Sequence, residues 1–378
     1  MTFHDLDANA TTPLLPAAWE AMRPVMLESS GNPSSAHSLG RKARQFLEEA
    51  RESVARCLDA KADEVVFTSG ATEANNLAIF GLVGIPIGHI VTTPIEHPCV
   101  VEPIKQWESR GFSVSRVAVN EWGFVSTADV IAALKPDTRL VSVMLANHEM
   151  GAVQPVGDIA ISLPKGIPFH TDAAQAVGKV PVSFRSLGVT ALTLSAHKFG
   201  GPKGVGALIV KSGTKLKPMV FGGHQQKGMR PGTEPVALAV GMAVALEHAT
   251  REMETTRKRI ANLRRQMWEM LANGTSAILN GPAIDDPNVL PNTLNVSFPG
   301  CRADVLLMAL DLAEIACSTG SACSSGSLLP SPVLAAMGLQ DERLRSALRF
   351  SLSSRTTEME VDEAGRRIVE TVKSVRSI

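Results

Sequence analysis

Several polar residues in this sequence stand where an apolar run stops, and their types suggest chemistry. In "TLSAHKFGGPKG" (Thr193 to Gly204) an apolar segment runs into His197-Lys198 and then a glycine-rich turn. A lysine there is commonly a surface residue. Held in a desolvated pocket, its amine loses its proton more readily and attacks aldehydes. "FHTDAAQ" sets Asp172 among apolar neighbours. A buried carboxylate needs a cationic partner, although an aspartate here equally reads as a cap for the next helix. "TSGATEANNLAIFG" (Thr68 to Gly81) is a strand end, a small-residue turn and a helix start. The N–H groups around Gly70, Ala71 and Thr72 would suit a phosphate dianion. Taken alone, the same stretch is an ordinary Ser/Thr cap with Glu73 in the first turn.

The three pieces together match pyridoxal phosphate chemistry. Lys198 would bind the aldehyde, Ser195 and His197 would be available to the phosphate, and the glycines of "FGGPKGVG" would let the backbone turn tightly beside them. Asp172 would pair with a protonated pyridine nitrogen and keep the ring an electron sink. His97 in "PIEHP" could stack on the ring and move protons, whereas by itself it reads as a structural histidine. Cys323 lies in "CSTGSACSSGS" (Cys317 to Ser327), among small residues that bury nothing. A thiol on such a loop can visit a cofactor and then carry away what it collected. The plain alternative is a free surface cysteine. Arg349 in "LRFSLSSRTT" could hold a substrate carboxylate with its guanidinium fork, or pack a helix through a salt bridge. Cys57, Cys99 and Cys301 read as structural, and Cys317 is left undecided.

The surrounding elements must bring these groups together. "EVVFTSG", "HIVTTPIEH", "SVSRVAV", "RLVSVMLANHE", "IPFHTDAAQ", "ALTLSAHK" and "GVGALIVK" read as strands, with amphipathic segments such as "AHSLGRKARQFLEEARESVARCL" between several of them. That alternation predicts an α/β domain with a mostly parallel seven-stranded sheet. Ligands collect at the carboxyl ends of such strands. His97, Asn147-His148-Glu149, Asp172, Gln175 and Ser195-His197-Lys198 all fall there. From about residue 247 a long charged helix to about 273, "NTLNVSF", an apolar helix, a Ser/Gly loop and a helical C-terminus predict a smaller α+β domain. The expected boundaries are 11–255 for the large domain, and 1–10 with 256–378 for the small one.

Composition narrows the function. With 378 residues, 37 Lys+Arg and 37 Asp+Glu, the chain has no net charge. Nothing therefore draws it to nucleic acid or an anionic membrane. The basic run "RKRIANLRR" (Arg257 to Arg265) reads as a solvated helix face. Five cysteines without a CxxC pair argue against a disulfide framework or zinc knuckle, and for a reducing, cytoplasmic setting. The N-terminal stretch shows no signal-peptide pattern. The apolar run "VALAVGMAVAL" (Val236 to Leu246) has 11 residues, against the ~20 that span a bilayer. It reads as a buried helix.

With these pieces in place, the chain resembles cysteine desulfurases of the NifS/IscS type, within the class V aminotransferases. The likeness rests on "LDANATTP", "GNPSSAHSLG", "VVFTSGATEANNLAI", "EHPCV", "NHEMGAVQP", "HTDAAQAVGK", "LSAHKFGGPKGVGAL", "GMRPGTEPV", "STGSACSSGS" and "ALRFSLSSRTTEMEVD", in order and nearly end to end. It implies a pyridoxal-phosphate-dependent transferase of fold type I. It also implies pyridoxal 5′-phosphate joined to Lys198, with phosphate contacts from Ala71, Thr72, Ser195 and His197. Thr233 would reach the phosphate of a neighbouring subunit, making a homodimer. Asp172 would meet the pyridine nitrogen and Gln175 the ring hydroxyl, while His97 would stack and shuttle protons. Asn147 and Arg349 would bind the substrate, L-cysteine. Cys323 would take its sulfur as a persulfide and release alanine, for an iron–sulfur scaffold or another acceptor protein. No metal site is implied beyond a transient place for Cys323 on an iron–sulfur cluster. The chain departs from the family at His148, where a second asparagine is usual beside the ring hydroxyl and the substrate carboxylate. Gln226 also stands where a glutamate is common. Two other readings stay open: β-elimination or selenocysteine cleavage without the persulfide, and a slow paralogue acting mainly as an assembly partner, marked by His148.

Overall fold

The computed structural model describes residues 3–320 and 330–377. Among them, twelve strands, numbered in chain order, form three sheets. They are β1 (His4–Asp5), β2 (Val65–Thr68), β3 (His89–Thr92), β4 (Ser113–Arg116), β5 (Thr138–Ser142), β6 (Phe169–Asp172), β7 (Ala191–Ser195), β8 (Gly206–Val210), β9 (Ile278–Asn280), β10 (Thr293–Ser297), β11 (Ile315–Ala316) and β12 (Ala347–Ser351). The large sheet has the order β2-β8-β7-β6-β5-β3-β4. Only β8 runs against its neighbours, so the sheet is mostly parallel, as the alternation predicts.

The residue choice explains the layering. Strands β2, β3, β6, β7 and β8 are buried at every position, since helices cover both faces and leave no side for water. The edge strand β4, Ser-Val-Ser-Arg, is polar and partly exposed, which discourages further strand pairing. Gly206 is required where β8 passes the loop after β2. A Cβ there would lie 2.6 Å from the Leu194 carbonyl oxygen and 2.8 Å from Gly70 Cα.

A second core lies between the antiparallel sheet β12-β10-β9 and the helices Met253–Gly274, Ala303–Leu312 and Glu358–Arg376. The N-terminal segment belongs with this part through a parallel pairing of β1 with β11 and a bridge from Asp7 to Ser351. Two sequence expectations shift. The buried apolar helix runs Val236–Arg251, and the charged helix begins afresh at Met253 after Glu252. The basic run is not wholly solvated either. Arg264 is buried and donates to the carbonyls of Leu290 and Ile284, both at 2.6 Å. An arginine can close exposed carbonyls at a loop because its planar fork reaches two acceptors at once.

Among the described residues no helix is long and apolar enough to cross a membrane.

Candidate active site

The carboxyl ends of β2, β3, β5, β6 and β7 deliver the polar residues to one end of the sheet. Asp172 closes β6 and is buried. Its Oδ1 accepts the Ala174 N–H at 2.9 Å and its Oδ2 accepts Asn75 Nδ2 at 2.7 Å. The capping contact and the buried carboxylate are thus both real, on different oxygens.

His97 caps the helix Pro98–Ser109, its Nδ1 accepting the Cys99 N–H at 3.2 Å. The Cys99 thiol lies 2.8 Å from the same nitrogen and 4.0 Å from Asp172 Oδ2. With Nδ1 occupied as an acceptor, the proton of a neutral ring belongs on Nε2. Burial lowers the His97 pKa, Asp172 opposes that shift and Lys198 adds to it. Cys99, read from the sequence as merely structural, therefore forms the floor between two site residues. Burial pushes its thiol well above the ordinary range, so it remains protonated.

Lys198 follows β7 on a short turn, and its Nζ donates to the carbonyls of Asn9 at 2.6 Å and Ala10 at 2.9 Å. Gln175 donates to the same Asn9 carbonyl at 3.0 Å and accepts Lys179 Nζ at 2.6 Å. Lys179, a second amine and half-buried, also reaches Asn9 Oδ1 at 2.9 Å. Its pKa is lowered by burial first, then by Lys198 and Arg349. His197 meets Thr11 Oγ1 through Nδ1 at 3.1 Å. Burial and the neighbouring lysines bring its pKa down to about 4, so the ring is neutral.

The helix Ala71–Val83 begins after Gly70, whose φ of 153° an L side chain resists. Ser195 is buried beside that turn. A Cβ on Gly70 would stand 3.8 Å from Ser195 Oγ. The N–H groups of Ala71 and Thr72 lead this helix, where intrahelical acceptors are lacking. Glu73 turns aside to the Ser69 N–H at 2.7 Å and to Arg230 at 2.8 Å.

The opposite wall comes from the turn after β5 and from β12. Asn147 has all four hydrogen-bonding positions of its amide occupied. Oδ1 accepts the Glu149 and Met150 N–H groups at 2.8 and 3.2 Å, while Nδ2 donates to the Ile95 carbonyl at 3.0 Å and faces Met144 Sδ at 3.4 Å. Its side chain builds the turn that presents His148. The His148 ring meets His97 edge to face at 5.3 Å, and its Nδ1 is a buried atom without a hydrogen-bond partner among the described residues. Burial first, then His97, Arg349 and Lys198, hold its pKa well below the usual histidine value. His148 is thus a neutral ring with one polar atom still open.

Arg349 is 3% exposed, donating to Asp7 Oδ1 at 2.7 Å and to the His148 carbonyl at 3.1 Å. Its Nε is unpartnered among the described residues. The fork is therefore shared with Asp7, a residue for which the sequence offered no signal beyond its place in "LDANATTP". Thr233 lies exposed before the helix Val236–Arg251, outside this hydrogen-bond network. Cys323 lies outside the described residues. Gln226 is fully wired. Its Oε1 accepts Arg51 at 2.9 Å and the Phe67 N–H at 3.0 Å, and its Nε2 donates to Glu234. An ionised glutamate there would face Glu234 instead, so the amide suits this network.

A buried carboxylate, a strand-end amine, an open helix N-terminus with Ser195 and a neutral histidine make a donor set that fits pyridoxal 5′-phosphate. Among the described residues no group of three or more His, Cys, Asp or Glu is placed to hold a metal ion.

The sheet order and strand-end site define an α/β enzyme of the pyridoxal-phosphate-dependent kind. The family described as aminotransferase class-V matches residues 5–363, and the chain belongs to it. It is 43% identical to cysteine desulfurase IscS of Dictyoglomus turgidum, over 98% of this chain and 95% of that one. A solved NifS-like protein superposes with a TM-score of 0.93 at 37% identity, covering 99% of this chain and all of that one. A solved structure of SspA in complex with cysteine superposes with a TM-score of 0.82 at 36% identity, covering 94% of this chain and all of that one.

Proposed function

We propose that the protein is a cysteine desulfurase that moves the sulfur of L-cysteine onto Cys323 and releases L-alanine. The observation that carries the reading is Lys198 at a strand end, on the same end of the sheet as buried Asp172 and capped His97. Relatives named cysteine desulfurase match along almost the whole chain.

Lys198 would hold pyridoxal 5′-phosphate, with the N–H groups of Ala71 and Thr72, Ser195 and His197 on the phosphate, Asp172 on the ring nitrogen and Gln175 with His148 toward the ring hydroxyl. When bound, the cofactor withdraws electrons from the substrate carbon and so permits the carbon–sulfur bond to break. Asp172 contributes a fixed negative charge in a dry site, where it favours the protonated ring nitrogen. The neutral His97 ring, oriented through Nδ1, offers Nε2 for proton movement. Arg349 supplies donors for the substrate carboxylate, and Asn147 acts on the substrate through the turn it shapes. The exchange balances: L-cysteine and the Cys323 thiol yield L-alanine and a Cys323 persulfide. The transferred sulfur then passes to a thiol acceptor, which we read as an iron–sulfur scaffold or another acceptor protein.

A homodimer is part of this reading. Val220 and Phe221 are 58% and 85% exposed on the segment that leads to Thr233, which suits an apolar contact with a second copy. We read residues 11–255 as the large domain and 1–10 with 256–378 as the small one, on the strength of the two separate cores. A cytoplasmic site of action fits the unpaired cysteines among the described residues.

The test is alanine formed from L-cysteine, with a thiol reductant, by the wild type and by Cys323→Ser. Alanine from the wild type alone supports the persulfide route. Alanine or pyruvate from both points to lyase chemistry without Cys323, and none from either rejects the desulfurase reading.

A further inference from the structure

Four residues after Gln175 stands Lys179, an amine that the chemistry above does not use. Both lie on the turn that follows β6. Gly178 bends the chain just before the lysine: its φ is 79°, and a Cβ there would stand 2.6 Å from Phe199 Cβ. Lys179 Nζ donates to Gln175 Oε1 at 2.6 Å and to Asn9 Oδ1 at 2.9 Å. An ammonium donates and does not accept, so it selects the oxygen end of each amide. The nitrogen ends agree with that choice. Gln175 Nε2 donates to the Asn9 carbonyl at 3.0 Å, the same carbonyl that takes Lys198 Nζ at 2.6 Å. Asn9 Nδ2 donates to the His148 carbonyl at 3.1 Å and to Thr293 Oγ1 at 2.9 Å. Turned over, the Gln175 amide would set its NH2 against an amine and its oxygen against a carbonyl oxygen. Its orientation is therefore fixed at both ends. One Nε2 hydrogen is left without an acceptor among the described residues.

We propose that Lys179 is a positioning residue for the cofactor, holding the Gln175 amide with that open N–H toward the ring hydroxyl and bracing Asn9 in front of Lys198. The inference rests on the reading above, in which Gln175 meets the ring hydroxyl. An N–H aimed at the ring oxygen favours its charged form. It therefore lowers the pH at which the proton shared between that oxygen and the Lys198 nitrogen is lost. Charged or titratable groups face Lys179 from each neighbouring element. Lys198 and His197 do so from the turn after β7 and Arg349 from β12. His248, Glu252, Arg257 and Arg355 line the cavity of about 380 Å³ that the two lysines share. Like charges on two amines also disfavour one another, so the test must separate a direct field on Lys198 from an effect carried through Gln175.

The experiment compares holoenzymes of the wild type, Lys179→Met, Gln175→Ala and the double variant. The quantity read is the pH midpoint of the bound cofactor's visible absorbance, with a thermal melt beside it. Lys179→Met is expected to raise the midpoint by about 0.5–1 unit, and Gln175→Ala by at least as much. The double variant should titrate like Gln175→Ala alone, because two residues acting as one unit are not additive. An unmoved midpoint in Lys179→Met, with only the melt lowered, would mark a structural strut and overturn the proposal. A Lys179→Met shift that persists in full on the Gln175→Ala background would also overturn it, since that is the direct field of a second ammonium. Should Lys179→Met fail to fold, Lys179→Gln, a shorter donor, is read in the same way alone and with Gln175→Ala. A wild type that takes up pyridoxal 5′-phosphate without any visible band would instead remove the cofactor reading, and this inference with it.

Discussion

The two walls of the site are built in different ways. The Asp172 wall belongs to one sheet: Asp172, Asn75, His97 and Cys99 sit at strand ends or the first turns of the helices that follow, and they bond to one another. The Arg349 wall is assembled from four distant stretches, bringing Asp7, the turn 147–149, Ser318 and Arg349 together between the two cores. The first wall is as rigid as the sheet, and the second holds only while the two cores keep their relation. The first suits fixed electrostatics; the second suits binding a substrate that must enter and leave.

If this contrast is right, the deepest loss comes from the sheet wall. Asp172→Asn is expected to lower kcat by about 1,000-fold with modest change in KM. A unit charge about 4 Å from another contributes about 4 kcal/mol at an effective dielectric of 20, and 1.36 kcal/mol is tenfold. Steady-state kinetics on cofactor-loaded protein checks it. A change carried mainly by KM would erase the distinction between the walls.

On the other wall, Arg349→Lys should raise KM for cysteine by about 10- to 100-fold and disturb kcat less. Hydrogen bonds to charged groups contribute about 1.5–3 kcal/mol, and lysine cannot reproduce the fork. Equal loss in kcat would mean that this wall shapes the transition state as well.

A third prediction concerns stability. Burial raises the Glu96 carboxyl to about 8, with Asp172 adding to the shift. Its folded pKa therefore lies above the unfolded value, and the folded chain holds the extra proton between about 4.5 and 8. This contribution is complete below the unfolded pKa and is lost as pH rises through the folded one, at about 1.4 kcal/mol per unit. Glu96→Gln should flatten that slope in thermal melts from pH 5 to 8. Melting curves of wild type and variant that stay parallel would show that the sheet wall is wetter than its burial implies.

The smallest expected effect is an absence of coupling. Among the described residues Asp172 and Arg349 share no hydrogen-bond partner. Asp172→Asn combined with Arg349→Lys should thus be additive in kcat/KM to within about 0.5 kcal/mol. A larger interaction would join the walls into one unit.

The contrast also explains what was legible in the sequence. Asp172, His97, Ser195 and Lys198 stand where apolar strands end, a signal that one sheet writes into a local stretch. The seven strands of the large sheet were readable for the same reason. Asp7, Asn9 and Lys179 carry no such mark, because their partners come from distant segments. Cys99 looked like filler among apolar residues, and only the fold puts it under His97. Arg264 hid in a basic run because charge pattern alone does not tell which face of a helix is covered.

The path of residues 4–12 has a consequence for how the chain is made. The carbonyl and side chain of Asn9 meet Lys198, Gln175, Lys179, Asn292 and Thr293, while its N–H donates to Ser351 Oγ at 2.9 Å. Residues 4–12 thus find their last partner only when position 351 has been made. Contacts of such sequence separation close late and slowly. The large sheet can form during synthesis, whereas the lysine and arginine pockets wait for the whole chain. A nascent chain stopped before β12 would then be a folded sheet without a working site, a state in which premature chemistry is avoided by order of assembly alone.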